Sequence, residues 1–135
     1  EWEYACRAGT TTRYGFGDDP AGLDAYAWYE GNANGALQPV ATRRANAWGL
    51  HDLHGNVWEW CWDWYGSYSP GRARNPRGPM MLTAGWRVLR GGSFGDPPAL
   101  LRSAGRVGDL PGFRGRFFGF RCVRVPPQHL DQSAD

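Results

Sequence analysis

The side chains able to do chemistry in this sequence are few enough to weigh one by one. Three cysteines, Cys6, Cys61 and Cys122, form no CxxC pair and are too few for a disulfide framework, so reduced, buried thiols are expected. His51 and His54 lie three apart beside Asp52, but no third ligand follows at metal-binding spacing, and His129 sits near the end of the chain. The histidines therefore offer little to an enzyme. More prominent is the segment HGNVWEWCWDWY, in which Trp58, Trp60, Trp62 and Trp64 recur with period two. That spacing puts the four indoles on one side of an extended strand, and Val57, Glu59, Cys61 and Asp63 on the other. Such a stripe is expected to be core packing, with a sugar-stacking platform as the alternative.

The elements that must position these groups are short. In 135 residues there are 20 glycines, 10 prolines and eight tryptophans, which predicts one loop-rich domain built on an aromatic core. The formal net charge is +2, and every basic residue is an arginine, interspersed with acids and not gathered into a stripe, so a nucleic-acid partner is not indicated. No stretch of about 18 apolar residues occurs and no leader is visible, so no membrane span is expected and the compartment, cytoplasm or cell surface, stays open.

Along the chain, EWEYACRA at 1–8 reads as the last turns of a helix ending at Gly9. Residues 14–35 are turn-rich around the apolar island LDAYAWY, where one short strand or turn is expected. A long surface loop is predicted over 66–85. WRVLRGGSF reads as a strand that enters a bulge or a tight backbone approach. A last strand is predicted in FFGFRCVRV, with Phe120 buried, stopped by Pro126-Pro127; residues 128–135 form a polar tail.

Three blocks resemble the formylglycine-generating-enzyme (sulfatase-modifying-factor) family: EWEYACRAG at 1–9, GLHDLHGNVWEWCWDWY at 49–65, and RVLRGGSF, LRSAGR and GFRCVR between 87 and 124. The resemblance implies an α+β, C-type-lectin-type fold over residues 1–127, with short strands, few helices and long loops. It also implies that the chain starts inside the domain, because the family pattern opens with a longer RLPTEAEWEY helix. Family oxidases hold copper with two cysteines after the GGS turn, since soft thiolates select Cu(I). The counterparts here are Asp96 and Leu101, so no catalytic residue is assigned and oxidase chemistry is not expected. Cys6 and Cys122 match family cysteines used in disulfides, but their partners are missing or, near Ser103, replaced. Calcium is the one cofactor the resemblance suggests, a structural ion held by carbonyls of Gly55 and Val57 and by Glu59. The alternatives are that Asn56 caps or turns the chain and that Glu59 pairs with an arginine.

Between about 90 and 121, a frame of RGGS, Pro98, LRSA, Arg106, Pro111, Arg114 and GFR encloses interruptions with no secondary-structure period. This resembles the variable region of proteins diversified by bacterial retroelements, in which random replacement of adenine turns an AAC codon into any NNC codon. Lys, Glu, Gln, Met and Trp are then excluded. The interrupting residues are Phe94, Gly95, Asp96, Pro97, Ala99, Leu100, Gly105, Val107, Gly108, Asp109, Leu110, Gly112, Phe113, Gly115, Arg116, Phe117 and Phe118, and all obey the exclusion. The resemblance implies a non-catalytic module that binds a protein ligand through these side chains. Phe94, Leu100, Leu110, Phe113, Phe117 and Phe118 would supply an apolar patch rimmed by Asp96, Asp109 and Arg116. Arg102, Arg106, Arg114 and Arg121 would be structural donors to loop carbonyls and carboxylates. The alternative is an ordinary family domain, either an enzyme or a regulatory lectin-like module.

Overall fold

The computed structural model describes residues 1–68, 70–71, 78–79 and 85–124. Helix α1 covers Trp2–Arg7, with Glu3 in its first turn and Arg7 in its last, four residues apart and bridged at 2.8 Å. It ends where Ala8 turns left-handed (φ 46°) and returns its N–H to the Tyr4 carbonyl.

The island LDAYAWY begins as a helix over Leu23–Tyr26, not the expected strand or turn, and only Trp28 is strand-like, in a single parallel bridge with Gly55. Asp19 caps a 3₁₀ turn, Pro20–Gly22, by accepting the Ala21 N–H, and helix α2, Leu23–Tyr26, follows directly. Leu23 and Ala27, one helical turn apart, thereby reach a core shared with Tyr14 and Leu101, with Phe16 and Tyr29 against it.

The sheet has four strands in the order β3-β2-β1-β4. Strand β1 is Trp58–Trp64, as the tryptophan spacing predicts, and β2 is Arg87–Arg90, antiparallel to it. Strand β3, Arg106–Asp109, pairs antiparallel with β2 and lies in a region where no periodic element is expected from sequence. Strand β4 is only Phe118–Gly119, parallel to β1. The predicted last strand is therefore cut short, and Phe120 is 75% exposed instead of buried. Arg121 is the residue that turns inward there, to Glu59, so its neighbour points away.

Gly55 locks the central chain crossing. Its φ is +81°, and a Cβ there would lie 2.1 Å from the Trp28 carbonyl oxygen. That close approach lets Gly55 donate to Gly91 and Asn56 donate to Trp28, tying the entry to β1 to the GGS turn and to the loop after α2. The loop expected over 66–85 is irregular wherever it is described; its remainder, Pro126-Pro127 and the tail lie outside the described residues. No described helix is long and apolar enough to cross a membrane.

Candidate binding surface

The two faces of the sheet are built from different chemistry. Register places Glu59 opposite Arg90 and Arg90 opposite Arg106, and directly opposed residues share a face. This inner face is covered by α1 and closed by ion pairs. Arg121 donates to both Glu59 oxygens, at 2.6 and 2.5 Å, and to the His51 and Asp52 carbonyls, while Trp2 Nε1 donates to Glu59 at 2.6 Å. Arg90 donates to Glu3 at 2.6 Å and to the Ser103 and Ala104 carbonyls.

Glu59 is thus the arginine-paired residue of the alternative reading, and its carboxylate does not fit a calcium ligand, because a guanidinium and an indole N–H already occupy it. Gly55 and Val57 would offer only neutral carbonyls. Asn56, left-handed at φ 60°, staples the chain to Gln38 through both ends of its side-chain amide. No cluster of three or more His, Cys, Asp or Glu is gathered among the described residues.

Beside this face lies a buried group that pattern reading missed. His54 accepts the Gly15 N–H at Nε2 (3.1 Å), so its own proton sits on Nδ1, which donates to the Leu101 carbonyl at 2.7 Å. Burial pulls the imidazole down to about 4. Cys6 lies 3.6 Å from both His54 Nε2 and Ser103 Oγ, and burial pushes its thiol up to about 11. A thiol so disfavoured from ionising is packing, not a nucleophile. Of the other cysteines, expected buried, Cys61 is half-buried and Cys122 is exposed.

The outer face carries Trp58, Trp60, Trp62 and Trp64 from β1, Leu89 and Arg87 from β2, Val107 and Asp109 from β3, and Phe118 from β4. The tryptophans are not all core as expected. Trp58 is buried, Trp60 and Trp64 are half-buried, and Trp62 is 78% exposed where β1 bulges between Trp60 and Trp64. Arg87 lies over Trp64 at 3.5 Å and Trp62 at 5.0 Å, and donates to the Trp62 carbonyl. Phe118 stacks on Trp60 at 5.8 Å, and Phe113 meets Phe118 edge to face at 5.3 Å.

The interrupting residues divide. Gly95, Pro97, Ala99, Leu100, Leu110, Gly112, Phe113, Gly115 and Arg116 are exposed, and Asp96, Val107, Gly108, Asp109, Phe117 and Phe118 are half-buried. Two are misassigned as surface. Phe94 is 1% exposed: its N–H bonds the Asn56 carbonyl and its ring stacks on Phe117 at 4.7 Å, which turns it into the core. Gly105 is buried, and a Cβ there would meet the Leu100 carbonyl oxygen at 2.7 Å. Gly108 is also constrained, since Tyr65 packs where its Cβ would stand. Asp96 does not act as a rim charge; its carboxylate holds the turn by accepting the Ser93 N–H and hydroxyl.

Among the frame arginines, Arg102 donates to Ala99, Arg106 to Gly66, and Arg121 to Glu59, as expected. Arg114 breaks the pattern: it is exposed and makes no hydrogen bond among the described residues.

A family model described as the sulfatase-modifying factor enzyme 1-like domain matches residues 1–126. The chain belongs to that family. Its fold bears this out: it is similar to Treponema denticola variable protein 1 with a TM-score of 0.82 and 36% identity, covering 89% of this chain and 43% of that one. The C-type-lectin-type fold implied by the three sequence blocks is therefore present. Among relatives of this sulfatase-modifying-factor-like domain, the formylglycine-generating enzyme of Streptomyces coelicolor is 37% identical over 91% of this chain and 44% of its own length. The serine/threonine-protein kinase pkn1 of Chlamydia caviae is 36% identical over 92% of this chain and 20% of its own length. The chain thus spans less than half the length of each of these relatives.

Proposed function

We infer that this family member is a non-catalytic module that binds a protein ligand through the interrupting residues between 90 and 121, which a retroelement diversifies. The observation that carries this reading is the division of that segment by burial. The frame residues Arg90, Gly91, Gly92, Ser93, Leu101 and Ser103 are buried, although Arg102, Ala104, Pro111, Arg114 and Phe120 of the frame are exposed, and all the interrupting residues except Phe94 and Gly105 reach the surface. A segment built to change its side chains without changing its fold needs that separation. Likeness to Treponema denticola variable protein 1 supports the same reading.

The inherited oxidase reaction is not supported by the residues present. Leu101, a counterpart of a copper-binding cysteine, is 0% exposed in the core, and Asp96 is committed to Ser93. Hard carboxylate oxygen and an aliphatic side chain cannot replace two thiolates on Cu(I).

A displayed library tests the reading, with NNC codons at the nine exposed positions, sorted first for protease resistance and then for binding to hen lysozyme. Many folded members and lysozyme-specific binders are the expected result. Loss of folding across the library, or folded members that yield no binder, would overturn it. Copper-dependent conversion of a cysteine peptide by the unaltered chain would point to the enzyme alternative instead.

A further inference from the structure

The outer face of the sheet suggests what lies between the two sets of interrupting residues. Val107 and Asp109 stand on edge strand β3, and Phe118, with Phe113 against it, stands on the opposite edge strand β4. The strip between them is made by residues outside the varied segment, Trp60, Trp62 and Trp64 of β1 and Arg87 of β2, with Leu89 buried between Trp60 and Val107. A ligand touching both edges must cross that strip.

Its chemistry is specific. Trp62 is 78% exposed and Trp60 and Trp64 are half-buried, so indole surface faces solvent along the strand. Arg87 is held over two of these rings and against the Trp62 carbonyl, and no carboxylate lies within 4.0 Å of it among the described residues. Asp109, opposite it in the ladder, is turned to the Leu110 N–H instead. A planar cation fixed on aromatic rings without an acidic partner is pre-organised for an incoming carboxylate. Tryptophan and arginine at the centre of a surface, here exposed Trp62 and half-buried Arg87, are also the residue types that dominate protein interfaces. The face is a sheet surface, and a small recess between Gly15, Phe16, Tyr26, Arg44 and His54 lies elsewhere and admits only a water-sized guest.

We propose that Trp60, Trp62, Trp64 and Arg87 form a constant docking strip for an extended, carboxylate-bearing segment of the protein ligand, whatever residues occupy the flanking positions. The proposal rests on the binding-module reading and names the part of its surface that does not vary.

The probe is a synthetic peptide alternating glutamate and threonine, compared with its glutamine counterpart, with tryptophan quenching and calorimetry as readouts. The glutamate peptide should bind about tenfold more tightly, the scale of one charge-assisted hydrogen bond. Arg87→Gln should abolish that difference, and Trp62→Ala, at an exposed position, should weaken both peptides while circular dichroism shows the fold retained. Equal binding of the two peptides, no binding of either, or an unchanged preference in Arg87→Gln would overturn the strip. Quenching by polygalacturonate but not by the glutamate peptide would overturn it in favour of an acidic sugar. Failure of the underlying reading looks different. Lysozyme binders that survive both Arg87→Gln and Trp62→Ala sink the strip alone, whereas glutamate-peptide binding in a chain whose library yields no binder sinks the varied surface alone.

Discussion

The inner and outer faces of the same four strands solve opposite problems. The inner face buries charge and satisfies it: Glu59 with Arg121 and Trp2, Arg90 with Glu3 and two carbonyls, and neutral His54 between Gly15 and Leu101. The outer face is buried at Trp58 and Leu89 but leaves Arg87 without a carboxylate among the described residues and Trp60, Trp62 and Trp64 partly open, flanked by half-buried Val107, Asp109 and Phe118. Stability is concentrated on one side and adaptability on the other, which is how a scaffold can tolerate substitutions at its binding surface.

The sharpest break of that comparison comes from pH. His54 has its folded value lowered by burial to about 4, from 6.5 when unperturbed. Between those values the unfolded chain binds a proton that the folded chain refuses, so stability is complete above pH about 6.5 and falls toward pH about 4. The loss should be on the order of 3 kcal/mol. Urea denaturation across that window should show the slope, and His54→Gln should flatten it; an equal slope in the variant would remove His54 from the inner framework.

Glu59→Ala comes next. It strands Arg121, whose side chain is a third exposed, so the cost is discounted from a fully buried pair to about 2–3 kcal/mol. Trp62→Ala on the same strand should cost about 1 kcal/mol or less. Similar melting shifts in the two variants would mean that the faces do not differ in kind.

Two glycines sharpen the contrast within the varied segment itself. Gly105→Val drives side-chain atoms into the Leu100 and Arg102 carbonyls and should cost about 2 kcal/mol. At Gly112 an added Cβ meets nothing within 4 Å, and Gly112→Val should stay within about 0.5 kcal/mol. Comparable losses at both sites would deny that structure separates fixed from free positions.

The smallest effect concerns Phe113 and Arg114. Phe113→Ala removes an edge-to-face contact with Phe118 and should lower stability by about 1 kcal/mol. Arg114→Ala should be neutral to about 0.5 kcal/mol, the reverse of what its place in the frame implies. Thermal melts of the two variants decide it.

Much of the scaffold was legible in the sequence because its signals are local. Period two in WEWCWDW fixes a strand and puts its tryptophans together, and paired glycines after WRVLR mark the tight approach at Gly91. What period two cannot give is which side of the sheet is covered; that depends on α1, whose Trp2 and Glu3 bond Glu59 and Arg90, so the stripe alone predicts Trp62 in the core where the structure exposes it. Strand β3 carries Gly108, which breaks an alternating pattern yet is the residue that makes room for Tyr65. Phe94 reads as surface by its position among interruptions, but the hydrogen bond from its N–H to Asn56 turns it inward. Arg87 was within reach of sequence reasoning, since alternation along WRVLR places it with Leu89 and so with the tryptophan face. The His54, Cys6 and Ser103 cluster was not, because it joins residues nearly a hundred positions apart.

If the exposed interrupting residues within 94–118 are varied while the frame and the buried Phe94 and Gly105 are held, the DNA that encodes them carries the record. Codons for the exposed interrupting residues should nearly all end in C, more often than the frame codons beside them. A near-copy close to a reverse-transcriptase gene should read AAC at those sites and not at Phe94 and Gly105. Third bases that do not distinguish interrupting from frame codons, with no such copy nearby, would contradict it.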